Sequence, residues 1–285
     1  MAPLEPVDVL VFGGGPVGLA AALTLVRQGH TAILFDSGSY RNVDVKHMHM
    51  IPTWDHRNPA EFREKARFEI QNHYASVRIE DVEITAVRTS NDSLFEVTDG
   101  NSRAWKGKKI ILATGSANIF LDILGYVDCL AKRIYHCLYC EGYEDRETAR
   151  SGVLAIQTAS IAPMAIHLAG NAANLSSSVT IYTDGSGGLS TQIQTSLGYT
   201  NQEKFTDLSL GSWALKTTTL SPVPEVGDIV ANFPAYQTSV RGVFAAGDCI
   251  TQYKVIAGAI SSGCNAAVAA SAQLLAEKYQ HESLV

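Results

Sequence analysis

The sequence predicts an α/β protein with two strand–helix–strand units. Three observations support this prediction. Val7–Phe12 is a nearly continuous apolar run followed by a glycine-rich turn and an Ala/Leu-rich helix, as expected of a strand buried on both faces. A second unit of the same kind starts near Ser151. A further apolar run, Val240–Ala246, predicts another buried strand, and an Ala-rich helix, Gly258–Tyr279, follows it.

The remaining elements follow from similar patterns. Gly29 closes the first helix at about Gln28, and the next buried strand is Thr31–Phe35. Pro59, at a favourable first helical position, predicts a helix from Pro59 to His73. The second unit is predicted as a strand, a helix and a strand at Gly152–Gln157, Ala162–Ala173 and Ser178–Tyr182. Other strands are predicted around Ser76–Val87, Leu94–Thr98 and Lys109–Ala113, whereas residues 184–236 show no clear periodicity.

The composition excludes several classes of function. The 285 residues carry a net charge of −6, which argues against a protein that binds nucleic acid through clustered Lys and Arg. We find no apolar run of the ~18 residues that a membrane-spanning helix needs, and no secretory signal. The five cysteines are too few and too scattered for a disulfide scaffold. We therefore expect a cytoplasmic protein with no membrane partner, and we assign no metal site.

A glycine fingerprint follows the first strand. Gly13, Gly15 and Gly18 match G-x-G-x-x-G between the predicted strand and helix. In this motif the first glycine permits a tight turn, the second lets the backbone approach a pyrophosphate, and the third lets helix and strand pack closely. Asp36 lies 21 residues after Gly15, at the end of the next strand, where a carboxylate can accept hydrogen bonds from ribose hydroxyls. The pattern predicts a dinucleotide site.

The only C-x-x-C pair of the chain, Cys137 and Cys140, lies between the two units. Two cysteines at this spacing can close a small reversible disulfide, and in a cytosolic protein they indicate redox activity or metal binding. Structural zinc would need two more ligands, for which Cys129 and His136 are available. A pair of merely buried cysteines is the other alternative, but a redox pair is the interpretation that fits a dinucleotide-binding chain.

Two further motifs carry a resemblance to a known family. Ile111-Leu112-Ala113-Thr114-Gly115 resembles the central A-T-G motif of flavoproteins with two dinucleotide domains, and residues 242–248 resemble their second FAD motif. Together with the glycine fingerprint and C-x-x-C-[acid]-G, this order is similar to low-molecular-weight thioredoxin reductases. Within that family, D-S-G-x-x-R-N at residues 36–42 and W-D-H-R-N-P at residues 54–59 resemble the FAD-dependent dithiol oxidases of gliotoxin and related disulfide natural products.

The resemblance implies two Rossmann-like domains, the second inserted in the first. The FAD domain would span residues 1–118 and 237–285, and the inserted NADPH-domain-like unit residues 119–236. It also implies a homodimer, Cys137 as the thiol that meets the substrate and Cys140 as the thiol nearer the flavin. His136 and Glu141 flank the pair as candidates for the acid/base; Glu141 departs from the His of several dithiol oxidases and from the Asp of thioredoxin reductases. The candidate FAD contacts are Gly13, Gly15, Pro16, Gly18, Asp36, Ser37, Arg41, Thr114, Gly115, Gly247, Asp248, Val255 and Ile256.

The inserted unit lacks a second glycine fingerprint. Where a pyridine-nucleotide site requires glycines, residues 157–162 read Q-T-A-S-I-A, and no arginine pair follows the strand at Val179–Tyr182. This degenerate nucleotide site predicts that electrons enter from a dithiol and leave through FAD to molecular oxygen, which is reduced to hydrogen peroxide. The resemblance implies a small-molecule substrate of the diketopiperazine type. The alternatives are a reductase of thioredoxin or another disulfide, driven by NADPH or another donor, and a non-catalytic FAD-binding protein.

Overall fold

The computed structural model describes residues 5–90, 94–198 and 227–285. These residues form two compact units. Unit 1 holds the described residues up to 121 and from 227 onward, and unit 2 holds those from 122 to 198. The domain limits expected from the sequence, after residues 118 and 236, stay a prediction, and the predicted irregular segment is described only outside residues 199–226.

Unit 1 is built on a mixed sheet. Its strands are β1 (Val7–Phe12), β2 (Ala32–Phe35), β3 (Val77–Glu80), β4 (Ile84–Thr89), β5 (Phe95–Asp99), β6 (Ala104–Leu112) and β9 (Val243–Ala245). β3, β2, β1 and β6 lie side by side in parallel, and β9 adds in parallel to the end of β6. The first half of β6 pairs antiparallel with β5, which pairs antiparallel with β4.

Alternation along β1 divides the core of unit 1 in two. Val9 and Val11 face one cluster, which includes the helices α1 (Pro16–Arg27) and α7 (Ile256–Tyr279). Leu10 and Phe12 face the other cluster, in which Phe35, Trp105 and residues of β5 pack together. This is the period of two expected of a strand buried on both faces. α2 (Pro59–His73) begins at the Asn58 cap, whose side chain accepts a hydrogen bond from the Ala60 amide.

α7 is long and apolar enough by length and composition to cross a membrane. In the structure, 56% of its most apolar window is buried. Its close neighbour is α1, and Gly263 of α7 lies so near the backbone of Val17 that a Cβ would be 2.5 Å from the Val17 carbonyl oxygen. These contacts are those of a core helix.

Unit 2 contains a two-stranded parallel sheet, β7 (Ser151–Leu154) with β8 (Val179–Tyr182). Two helices, α5 (Ala162–Ala173) and α6 (Gly187–Leu197), pack on it through a core that includes Ala165, Ile181 and Ile193. Two single-turn helices, α3 (Tyr126–Cys129) and α4 (Leu138–Glu141), precede the sheet.

The predicted fold class and the order of its elements are confirmed, and the helices at Pro59–His73 and Ala162–Ala173 have the predicted limits. Five details are wrong. The segment at 76–87 forms two strands because residues 81–83 leave the strand conformation, β6 begins at Ala104, β7 ends at Leu154, and β9 begins at Val243. A helix, α6, lies inside the segment predicted to be irregular.

Candidate functional site

The turn between β1 and α1 is shaped by three glycines with different surroundings. Gly13 has φ +115°, and a Cβ on it would lie 2.2 Å from the Ala113 carbonyl oxygen. A Cβ on Gly18 would lie 1.9 Å from the Gly13 carbonyl oxygen, so helix and strand are packed at backbone distance. A Cβ on Gly15 would meet nothing within 4 Å. The turn is therefore closed on the protein side and open at Gly15.

The open side of this turn lies at the N-terminus of α1. Gly15 is the N-cap residue, and no side chain caps the helix. Pro16, in the first turn, has no backbone N–H, and the other amides of that turn point out of the helix end. Uncapped amides at the positive end of a helix suit the diphosphate of a dinucleotide. The residues present thus fit FAD.

Asp36 lies at the end of β2 and is 3% exposed. Its Oδ1 accepts a hydrogen bond from the Gly38 amide at 2.9 Å. Its Oδ2 accepts one from the Tyr40 hydroxyl at 2.5 Å and one from the Arg67 guanidinium at 2.7 Å. The carboxylate also lies against Gly14, where a Cβ would come within 1.9 Å of Oδ2.

The ends of β6 and β9 lie beside the same turn. The Ala113 amide donates to the Phe12 carbonyl, and the Ala246 amide donates to the Leu112 carbonyl, which aligns the ends of three parallel strands. Gly247, with φ +82°, packs on α1, where a Cβ would lie 2.4 Å from Val17 Cγ2. This is the edge at which ligands of open parallel sheets bind.

An ion pair crosses this edge of unit 1. Arg41, from the loop after β2, places its guanidinium 3.0 Å from the Asp248 carboxylate. The Lys254 ammonium donates to the Asp248 carbonyl oxygen at 2.6 Å. This hydrogen bond joins the single 3₁₀ turn at Gly247–Cys249 to the segment just before α7. Val255 is the N-cap of α7 and Ile256 is its first residue.

All predicted cofactor residues therefore belong to unit 1, where they follow strand ends or begin helices. Thr114 and Gly115 follow β6, and Ser37 is exposed in the turn after Asp36, where its hydroxyl accepts from the Ser39 amide at 3.5 Å. That each of them contacts FAD stays a prediction. The sequence analysis missed Gly14, Tyr40 and Arg67. Gly14 could have been found because it is the central glycine of a run of three, at residues 13–15. The sequence around Arg67 contains no comparable signal.

The redox pair lies in unit 2. Cys137 and Cys140 are joined by a disulfide with their Cα atoms 5.4 Å apart. Cys137 is the N-cap of α4, and Cys140 lies on its single turn. Leu138 anchors this turn to the core of unit 2, and Gly142 ends it where a Cβ would lie 2.9 Å from Leu175.

The segments on either side of α4 are tied together by Asp145. Its carboxylate accepts hydrogen bonds from the Tyr135 hydroxyl and, at 3.0 Å, from the Arg133 guanidinium. Burial, together with Asp145 and the nearby Glu141, raises the pKa of Tyr135 to about 12, so this phenol remains a donor at neutral pH. Of the two acid/base candidates, His136 is exposed and Glu141 is half-buried.

The turn after β7 differs from the turn after β1. Residues Gln157–Ala159 form a single turn of 3₁₀ helix, in which Gln157 has φ +50°. The Ser160 hydroxyl and amide both donate to the Gln157 carbonyl oxygen, at 2.5 and 3.0 Å. Side chains thus occupy a turn that in unit 1 is built from glycine backbone.

Comparisons with known proteins show the family and the fold to which this chain is similar. The family described as pyridine nucleotide-disulphide oxidoreductase matches residues 7–208. The thioredoxin reductase tcpT of Claviceps purpurea is 38% identical, with 98% of this chain and 97% of that protein covered. The thioredoxin reductase aclD of Aspergillus oryzae is 37% identical, with 94% and 96% covered. The structure of a thioredoxin reductase from Streptococcus pyogenes shares the fold at 18% identity, with a TM-score of 0.75 over 95% of this chain and 98% of that one.

These matches confirm the predictions of a thioredoxin reductase-like fold, of FAD as cofactor and of an oxidoreductase that acts on sulfur groups. They extend over both units rather than over the FAD-binding unit alone. The chain belongs to the thioredoxin reductases of the pyridine nucleotide-disulphide oxidoreductase family, which are FAD-binding disulfide oxidoreductases.

Proposed function

We propose that this protein oxidises a small-molecule dithiol to a disulfide through Cys137 and Cys140, with molecular oxygen as the final electron acceptor. The substrate class that fits the resemblance is a diketopiperazine-type dithiol of secondary metabolism. The working form is a cytoplasmic homodimer in this proposal.

One observation carries the proposal: the two turns that follow the first strand of each unit differ in the same chain. In unit 1 the turn opens at Gly15, with nothing within 4 Å of a Cβ there. In unit 2 the equivalent turn carries Gln157 and closes on itself through Ser160. A pyrophosphate needs close approach to backbone amides, and side chains at these positions obstruct it.

The strand β8 gives the second reason. It is followed by Thr183 and by Asp184, an exposed acid with φ +50°. A site for the 2′-phosphate of NADPH uses arginine at this place, and a carboxylate repels a phosphate. These residues make unit 2 better suited to carry the cysteine pair than to bind a nicotinamide cofactor.

The exchange chemistry then runs through the disulfide. A substrate thiolate attacks Cys137 Sγ, the S–S bond breaks, and Cys140 leaves as a thiolate. The second substrate thiolate attacks the substrate sulfur of the mixed disulfide, which forms the product disulfide and releases Cys137 as a thiolate. The substrate has lost two electrons and two protons, and the cysteine pair has gained the two electrons. FAD, when bound, supplies the two-electron acceptor that reoxidises the pair and passes the electrons to oxygen, giving hydrogen peroxide.

The protons of the two substrate thiols need an acceptor near the pair. His136 is adjacent to Cys137 in sequence and exposed, and Glu141 is adjacent to Cys140 and half-buried. An imidazole has an ordinary pKa near neutrality, which suits a group that exchanges protons with thiols in solution. His136 and Glu141 are both candidates for this role. The variants His136→Gln and Glu141→Gln distinguish them by their effect on the pH dependence of dithiol oxidation.

The test is anaerobic flavin absorbance of the purified holoprotein, titrated separately with NADPH and with dithiothreitol. We expect dithiothreitol to bleach the flavin, NADPH to leave it oxidised, and air to restore the spectrum with one hydrogen peroxide per flavin. Bleaching by NADPH overturns the proposal. A Cys137→Ser variant, with Cys129→Ser as the matched control, shows whether the bleaching passes through the pair.

An NADPH-driven reductase is the second candidate, because the curated relatives are named thioredoxin reductases. The same titration separates the two functions. NADPH bleaching followed by reduction of a thioredoxin would establish the reductase, and no dithiol-dependent oxygen uptake would be expected.

A further inference from the structure

The carboxylate of Asp36 is already engaged on three sides by its own chain. A carboxylate has about four acceptor positions, two on each oxygen. The Gly38 amide takes one position on Oδ1, while Tyr40 and Arg67 take both positions on Oδ2. One acceptor position, on Oδ1, is left for a ligand.

The two side chains on Oδ2 are themselves held in place. The second terminal nitrogen of Arg67 donates to the Asp81 carboxylate at 2.5 Å. The Arg63 guanidinium lies 3.7 Å above the Tyr40 ring and donates to the Asn42 amide oxygen at 3.2 Å. Both arginines project from α2, so this helix, which the sequence analysis did not connect with the cofactor, supports the end of β2.

Tyr40 and Arg67 both keep their protons at neutral pH. Burial and the hydrogen bond to Asp36 raise the pKa of Tyr40 to about 12, so its hydroxyl keeps its proton. Burial lowers the pKa of Arg67, but Asp81 and Asp36 together outweigh that effect and raise it. Asp36 therefore faces one full positive charge and one neutral donor, both on the same oxygen.

We propose that Tyr40 and Arg67 are positioning residues for the adenosine ribose of FAD: they bind Oδ2 of Asp36 and direct the remaining acceptor position of Oδ1 to the ribose hydroxyls. Gly14 completes the arrangement, since a side chain at that position would displace the carboxylate. The proposal rests on the predicted contact between Asp36 and ribose and is independent of the dithiol oxidase reaction.

The test compares the affinity of the protein for ADP with its affinity for 2′,3′-dideoxy-ADP, which lacks both ribose hydroxyls. Each nucleotide is titrated into the FAD-bound protein, and the displacement of FAD is measured by flavin fluorescence. For the wild type we expect ADP to bind about 10- to 150-fold more tightly, the value of one hydrogen bond to a charged group. In Arg67→Met and Tyr40→Phe we expect this ratio to fall to about 1–3, with little change for the dideoxy nucleotide.

Two controls and the second test variant make the result decisive. Arg88→Met removes an exposed arginine of β4 in the same unit and is expected to keep the wild-type ratio. Arg67→Lys keeps the positive charge but has its donors on a single nitrogen, and it is expected to retain part of the wild-type ratio. Tyr40→Phe removes only a hydroxyl, so it keeps the test open if Arg67→Met does not fold.

Two results overturn the proposal. Equal weakening of both nucleotides in the variants would assign Tyr40 and Arg67 a purely structural role. A wild-type protein that binds both nucleotides equally would remove the ribose contact of Asp36 itself. Neither result bears on whether NADPH or a dithiol reduces the flavin, so this proposal and the proposed function fail separately.

Discussion

Gly15→Ala and Gly18→Ala place the same methyl group at two positions near the start of α1 and should have different effects. At Gly15 the new Cβ meets nothing within 4 Å, and φ −75° with ψ −177° is open to alanine. At Gly18 the new Cβ lies 1.9 Å from the Gly13 carbonyl oxygen. We expect Gly15→Ala to affect cofactor binding alone, and Gly18→Ala to affect folding as well.

The magnitudes follow from these surroundings. In Gly15→Ala, the entropic gain of about 0.4–1 kcal/mol and the loss of a favourable N-cap residue nearly cancel, so the apoprotein keeps its stability within about 1 kcal/mol. Displacing the phosphate from one backbone amide costs about 1.5–3 kcal/mol, which raises the Kd for FAD about 10- to 150-fold. In Gly18→Ala, overpacking costs about 1–3 kcal/mol and lowers the Tm by roughly 2–12 °C.

The assay combines flavin fluorescence titration of the apoprotein with its thermal denaturation in the absence of FAD. Gly15→Ala should bind FAD weakly and unfold at the wild-type temperature. The reasoning is refuted if Gly15→Ala binds FAD as the wild type does, or if its apoprotein unfolds as early as that of Gly18→Ala.

Three further predictions concern the redox pair and the two cores. Cys137→Ser should retain FAD but reduce dithiol-driven flavin bleaching to the background rate of the reagent, whereas Cys129→Ser, a free half-buried thiol, should bleach normally. Burial raises the pKa of Asp99, but hydrogen bonds from Arg103, Trp105 and the Asn101 amide outweigh burial and hold this pKa below 3.8. Because Asp99→Asn weakens these hydrogen bonds, it should cost about 1–3 kcal/mol at neutral pH. Because a depressed pKa gives stability that is lost as pH falls, this difference in unfolding free energy should shrink below pH 3.8 and stay constant at neutral pH; a constant difference down to pH 2 would contradict it. Ile193→Ala, at a fully buried position of α6, should cost about 2–5 kcal/mol in urea unfolding, and the exposed Gln194→Ala under 1 kcal/mol; equal effects would show that α6 does not pack as described.

The elements that the sequence predicted well have strong local signals. α2 and α5 have a proline in the first turn, and α2 also has a side-chain cap at Asn58. α6 was missed because Gly187 and Gly188 open a helix rich in Ser, Thr and Gln, and its two buried residues give too short an apolar pattern.

The candidate site divides in the same way. The fingerprint glycines and Asp36 could be found because their spacing along the chain is set by one strand–helix–strand unit. Arg67 lies 31 residues after Asp36 and reaches it only because α2 packs against α1 and β3. Arg41, by contrast, was found through its motif, but its ion pair with Asp248 depends on pairing between strands far apart in sequence.

The position of β9 has a consequence for how the chain acquires its structure during synthesis. β6 has its lateral partner β9 only after 133 further residues, from Ile110 to Val243, and α1 has its partner α7 later still. A nascent chain that ends in unit 2 therefore leaves the end of β6, residues 110–112, without its partner strand β9 and the apolar surface of α1 in water. Closing so long a loop costs conformational entropy before any of these contacts forms. Unit 1 is thus the first to begin and the last to finish folding, and chains stalled in unit 2 should be substrates for chaperones that bind exposed strand edges.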